Sequence, residues 1–214
     1  MRTIRWAFLF WIFSCGFLQA QIEVPTSQEI EYTDIKLALK EPEKVKRLNL
    51  SQQHFENFPI GIDKFKNLRY LSIRNDHLKL IPEEIFSLKK LEVLDLGGND
   101  FNVLPVNFSN LENLKELFLD NESNIALDEN LKILSKLPRL KTLHLENDKI
   151  VRIPESINQL KFLENLYLSD NLLRYVPKEV KNLKSLKYLD LKNNPINRNS
   201  YLNIPSNYAF RIEF

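Results

Sequence analysis

The chain has 214 residues, enough for one well-buried domain, and 43% of them are hydrophobic, so a core can form without covalent staples. The single cysteine, Cys15, excludes a disulfide scaffold. The formal charge of +2 comes from Arg2 and Arg5, since the remainder holds 28 basic and 28 acidic residues. That balance gives no basic surface to neutralise phosphates, and no nucleic-acid partner is expected.

Residues 1–20 read as a secretory signal peptide. Arg2 and Arg5 give a basic start, Trp6–Phe13 ("WAFLFWIF") is an unbroken apolar run, and "LQA" precedes Gln21. The run is shorter than the ~20 residues that span a bilayer as a helix. Cleavage after Ala20 is the expectation, which makes the chain exported (periplasmic, cell-surface or secreted) with no membrane span once cleaved. Retention as an anchor helix is one alternative. Lipidation at Cys15 is another, although Phe13 fits a lipoprotein box ("IFSC") poorly.

Residues 21–44 form an N-terminal flank, polar and loose up to residue 31. Thr33 or Asp34 is placed to cap a short helix running through Lys40 and ended by Pro42. Ile35, Ala38 and Leu39 fall on one face of that helix and would cover the first coil of the next segment.

Residues 45–195 form a repeat. Blocks begin at Val45, Leu68, Leu91, Leu114, Leu140, Leu163 and Leu186, as in "LRYLSI", "LEVLDL" and "LKYLDL". The spacing is 23 residues throughout except for one interval of 26. Each block alternates apolar and polar residues, which predicts a short strand. A strand this short buries its apolar side only when stacked on its neighbours, so the core runs along the stack. Each inward leucine then contributes about 1.5–3 kcal/mol.

The ninth position of each repeat is polar: Gln53, Asp76, Asn99, Glu122, Asp148, Asn171 and Asn194. An asparagine there can donate to and accept from adjacent backbones, whereas a carboxylate only accepts. Looser turns are therefore expected at Asp76 and Asp148. Pro59, Pro82, Pro105, Pro154 and Pro177 mark the return half and suit the first turn of a helical or 3₁₀ segment. Strands pack ~4.8 Å apart and helical segments ~8–10 Å apart, so the stack must curve with its strands inside.

The pattern L-x-x-L-x-L-x-x-N-x-L-x-x-L-P resembles the leucine-rich repeat in its 23-residue, proline-containing form. The front flank, Tyr32–Ser51, resembles the entry to exported bacterial proteins of that family. The resemblance implies an α/β solenoid with a parallel concave sheet of about seven strands and short helical or 3₁₀ segments outside. It also implies a binding module rather than an enzyme. The family's bacterial ubiquitin ligases use a catalytic cysteine, and this chain has none beyond Cys15.

The 26-residue interval from Leu114 to Leu140 contains "LFLDNESNIALDENLKILSKLP" (117–138), with Asp128 where other repeats have proline. Asp128 as an N-cap, with Leu131, Leu134 and Leu137 after it, predicts a longer helix on the convex side over an unbroken strand ladder. In residues 196–214, a C-terminal cap, "YAFRIEF" reads as a closing strand with Phe210, Ile212 and Phe214 on one side.

No G-x-S-x-G, phosphate-binding glycine loop or H-E-x-x-H occurs, and no cofactor or catalysis is expected. His54, His77 and Asp100 share one repeat position on successive coils and form a weak metal candidate. The stronger candidate is the concave face, where Tyr70, Phe118, His144, Tyr167 and Tyr188 stand on an otherwise polar surface. Aromatic residues concentrate at binding hot spots. The expected function is therefore recognition of a protein partner there. A cell-surface glycan or peptidoglycan module and a membrane-anchored intracellular adaptor or inhibitor are the alternatives. A metal-assisted hydrolase would require the histidine column to converge.

Overall fold

The computed structural model describes residues 30–55, 58–122, 124–197 and 209–214. The signal segment and Cys15 lie outside them. Among the described residues, no helix is long and apolar enough to cross a membrane.

Among the described residues, nine strands form one parallel sheet in chain order: β1 (Glu31–Tyr32), β2 (Arg47–Asn49), β3 (Tyr70–Ser72), β4 (Val93–Asp95), β5 (Glu116–Phe118), β6 (Thr142–His144), β7 (Asn165–Tyr167), β8 (Tyr188–Asp190) and β9 (Arg211–Glu213). Equivalent repeat positions pair, as in Leu71 with Leu94 and Leu94 with Leu117. The result is a curved solenoid. The count is nine rather than seven because both flanks add a strand. Glu31, the last residue of the stretch expected to be loose, pairs with Arg47, and Tyr32 with Leu48. The closing strand continues the register, with Ile212 opposite Leu189. Phe210 and Ile212 pack on the core, while Phe214 stays half exposed.

The inward leucines of the strands, Leu48, Leu71, Leu94, Leu117, Leu143, Leu166 and Leu189, are fully buried. Asp34 caps α1 (Ile35–Ala38), its Oδ1 accepting from the Lys36 and Leu37 amides at 2.7 and 3.3 Å. The helix stops at Ala38, two residues short of the expected end. Its Ile35 and Ala38 are buried over the first coil.

On the convex side the regular coils carry 3₁₀ segments, Glu83–Ser87, Val106–Asn110, Glu155–Gln159 and Lys178–Asn182. Pro82, Pro105, Pro154 and Pro177 stand immediately before them, in extended or near-extended backbone, rather than inside the first turn.

The 26-residue interval builds α2 (Leu127–Leu134), and β5 still pairs with β6 beneath it. Leu131, Leu134 and Leu137 are buried as expected. Asp128 is not the N-cap. It lies inside the first turn, where it pairs with Lys132 one turn on, an i,i+4 contact that also suits the helix dipole. Asn130, 2% exposed, adds a side-chain connection to the previous coil beside the bond from the Ala126 amide to the Asn102 carbonyl at 3.1 Å. Its Oδ1 accepts from the Leu104 amide at 2.7 Å and its Nδ2 donates to the Asn102 carbonyl at 2.8 Å.

The polar ladder at position nine is continuous. Asp76 Oδ1 accepts from the Gln53 and His54 amides at 2.7 and 2.8 Å. Asn99 Oδ1 accepts from the Asp76 and Leu78 amides, and Glu122 from those of Asn99 and Phe101. Asp148 Oδ1 accepts from the Glu122 amide at 2.6 Å, and Asn171 Oδ1 from those of Asp148 and Ile150. The expectation of looser turns at Asp76 and Asp148 therefore does not hold. The preceding Asn75 and Asn147 keep left-handed φ values of 57° and 56°, matching 57° at Asn193. Accepting alone suffices to fix the turn.

The lost function is donation. Asn99 donates to the Ile73 and Leu96 carbonyls and Asn171 to those of Leu145 and Leu168. Asp76 Oδ2 and Asp148 Oδ2 are buried with no hydrogen-bond partner.

Candidate functional site

The sheet register places Phe118 beside His144 and His144 beside Tyr167 on β5, β6 and β7. Their rings stack face to face. Phe118 and His144 have centroids 3.9 Å apart and planes 10° apart, and His144 and Tyr167 stack at 4.4 Å and 5°. Tyr188, on β8 and one position diagonal, joins at 5.3 Å with a 53° tilt. Because the stack runs across the strands, ring edges point out of the concave face and most ring faces are consumed internally.

His144 lies inside this strip rather than on it, its side chain 12% exposed. Its Nε2 is 3.0 Å from Glu116 Oε1 and its Nδ1 is 3.1 Å from Glu146 Oε1. The residues presented outward are Phe118, Tyr167 and Tyr188. Tyr188 donates its hydroxyl to Glu213 at 2.8 Å, and burial, then this bond, pushes its pKa up to about 12.

Tyr70 does not join the strip. It stands two strands away on β3, with the Arg47 guanidinium 3.9 Å from its ring centroid, a cation–π contact. Between the two lies an ion-pair network. Arg74 Nε bonds both Asp95 oxygens at 3.1 and 3.0 Å, and its Nη2 reaches Asp120 at 2.5 Å. To do so it crosses Gly97, where a Cβ would come within 2.5 Å of Nη2. Sequence reading missed this network and the two carboxylates on His144. Their signal was present, since Glu146 is two residues from His144 on one strand face and Glu116 is diagonal to it one strand back.

The histidine column does not form a metal centre. His54 and His77 stack with centroids 5.5 Å apart and planes 23° apart, so their nitrogens do not converge. Asp100 approaches His77 Nδ1 only at 3.7 Å, on a well-exposed surface. Among the described residues no three His, Cys, Asp or Glu side chains gather in a metal-holding arrangement.

Away from the concave face, an open groove of about 680 Å³ lies between residues 151–155 and 173–179, with Val151 and Tyr175 exposed along it.

Two family models cover the solenoid. One described as "Leucine-rich repeat region" matches residues 44–134, and one described as "Leucine rich repeat" matches residues 132–196. The chain belongs to the leucine-rich repeat family. No curated protein matches it by sequence. Among solved structures it is similar to a leucine-rich repeat protein of Leptospira interrogans, at 31% identity and a TM-score of 0.60, covering 78% of this chain and 48% of that one. An internalin (InlF) of Listeria monocytogenes matches at 21% identity and 0.59, covering 80% and 48%. The receptor chain of a TLR13–ssRNA13 complex matches at 27% identity and 0.65, covering 79% and 27%. The chain thus spans about half the length of the two bacterial structures.

Proposed function

We propose that the chain is an exported, non-catalytic interaction module that binds a protein partner on its concave face. One observation carries this reading. Three large aromatic residues, Phe118, Tyr167 and Tyr188, are held in a rigid strip on an otherwise polar surface, the composition of an interface core. Most of the neighbouring ions are already paired within the chain, Arg74 with Asp95 and Asp120, and Glu213 with Lys192. Ring edges and the faces outside the stack are left to be covered.

The same geometry weighs against the glycan alternative, because sugars stack on open ring faces and most faces here are internal. It also weighs against RNA, the ligand of the TLR13 structure. A phosphate backbone lying along the strip would meet Glu116, Glu146 and Asp190.

Phe118→Ala and Tyr167→Ala are each expected to weaken a partner recovered from the native cell by at least ~2 kcal/mol. Tyr175→Ala, on the convex flank, should leave affinity unchanged. Undiminished affinity in both strip variants would sink the concave-face reading. Export has its own test. The mass of the chain from fractionated native cells should begin at Gln21, and a retained or lipid-bearing N-terminus would replace signal cleavage with one of the anchored alternatives.

A further inference from the structure

We propose that His144 is the positioning residue of the concave strip: a doubly protonated ring, clamped between Glu116 and Glu146, that locks Phe118 and Tyr167 into one rigid stack. This rests on the reading of the strip as the partner surface, but the observations behind it are independent of any partner.

Both ring nitrogens face carboxylate oxygens, at 3.0 Å for Glu116 and 3.1 Å for Glu146. A carboxylate only accepts, so each nitrogen must donate. Only the imidazolium donates from both positions at once. The two ring faces are covered by Phe118 and Tyr167 in near-parallel contact. A cation between two π faces is attracted by each quadrupole, while neutral imidazole would lose that attraction and one of its in-plane hydrogen bonds. The charge is therefore held in-plane by anions and out-of-plane by rings.

The surrounding charges agree. β5 contributes Glu116, and Asp120 beyond it is already occupied by Arg74. The turn after β6 contributes Glu146, whose Oε2 is buried without a hydrogen-bond partner. β7 contributes Tyr167. Burial, then the fields of Glu116, Glu146, Asp190 and Glu213, hold its hydroxyl pKa above the usual value. For His144 itself, burial opposes the charge, but the hydrogen bonds it donates to Glu116 and Glu146 outweigh it and lift the pKa to about 9. The strip stays locked through neutral pH and loosens only in alkali. A locked strip pays less ordering entropy on binding than free side chains would.

Nuclear magnetic resonance of the full chain with labelled histidine tests this without a partner. The His144 signals, assigned by their loss in His144→Phe, should report the doubly protonated ring at neutral pH and titrate near 9. The Phe118 and Tyr167 ring resonances should move with the same midpoint. In the Glu116→Gln/Glu146→Gln double variant the midpoint should drop by at least about one unit, tenfold in proton affinity.

A midpoint at or below the ordinary 6.5 would overturn the proposal, as would ring resonances indifferent to the titration. If the double variant does not fold, the titration of the unaltered chain decides alone. The two readings separate cleanly. A high midpoint with undiminished binding by Phe118→Ala refutes the partner surface and keeps the clamp, and the converse refutes the clamp alone.

Discussion

The thermal midpoint of the chain is expected to fall as pH is raised from about 5 to about 9, opposite to the acid sensitivity that paired carboxylates usually give. The cause lies in the polar ladder. Glu122, 1% exposed, and Asp148, 4% exposed, sit on adjacent rungs beneath the turns. Burial pushes both pKa values up, to about 8, against the hydrogen bonds they accept from backbone amides. Each also feels the negative charge of Asp120, and Asp148 that of Glu122.

In an unfolded chain these groups titrate near 4.5 and 3.8. Between those values and about 8 the folded state holds protons that the unfolded state has released, so stability falls as pH rises through that window. His144 acts in the same direction from 6.5 to about 9, since its folded pKa is raised. The depressed carboxylates, Glu164, Glu213 and Asp128, act oppositely, but their contribution is lost only below the ordinary values of 4.5 and 3.8, outside this window.

Asp148→Asn isolates the effect. Asparagine keeps the acceptor for the Glu122 amide and supplies the donor that Asp148 Oδ2 cannot, as Asn171 does one coil on. Near pH 9 the variant should be more stable by on the order of 2–3 kcal/mol, and near pH 5 the two chains should converge. Urea unfolding at the two pH values measures the difference. A flat pH profile in the unaltered chain, or an Asn variant equally altered at both ends, would show that these rungs do not titrate in the fold.

The fold was legible because its cause is periodic. Leucines at a 23-residue spacing place one strand per coil, and seven of the nine strands are direct consequences of it. The ninth was readable by the same ruler, since Ala209, Ile212 and Phe214 stand 23 residues after Leu186, Leu189 and Leu191. Alanine and phenylalanine at leucine positions kept it out of the repeat, and the alternation of "YAFRIEF" marked it as the closing strand instead. β1 offered no such ruler, because Glu31–Tyr32 precedes the first leucine block and is tied to β2 by backbone pairing and by Glu31 accepting from Arg47 and Asn49.

The aromatic strip was legible as a column, since register is set by the repeat. Its internal stacking was not. Whether Phe118, His144 and Tyr167 present faces or edges depends on rotamers, which neighbouring strands and the Glu116 and Glu146 hydrogen bonds select together. The Asp128 cap failed for a similar reason. One position along a helix start changes the role of an acid from cap to first-turn partner, and only the path of the preceding loop decides it.

Asn130 gave no signal in the sequence at all, and its replacement is expected to be costly. The coil that contains it lacks the regular 3₁₀ return, so α2 must be tied to the previous coil by other means. One side chain does so, accepting from the Leu104 amide and donating to the Asn102 carbonyl. Asn130→Leu fits the apolar surroundings of Leu131 and Leu134 but leaves the buried Leu104 amide unpaired, while the Asn102 carbonyl keeps the Ala126 amide at 3.1 Å. Such a group costs about 1–3 kcal/mol, and a loss of that size is expected. Asn130→Asp keeps the acceptor for Leu104 and loses only the donor to Asn102, so its cost should be intermediate.

The denaturation midpoint in urea for the three chains gives the order, with the unaltered chain highest and the Leu variant lowest. Equal midpoints for the Leu variant and the unaltered chain would mean that packing alone joins α2 to the solenoid. The stakes are local as well as global. α2 lies on the coil that begins with β5, and β5 presents Phe118. Loosening the helix therefore should reach the concave strip through a single coil, and a fall in the His144 titration midpoint in Asn130→Leu would register that coupling.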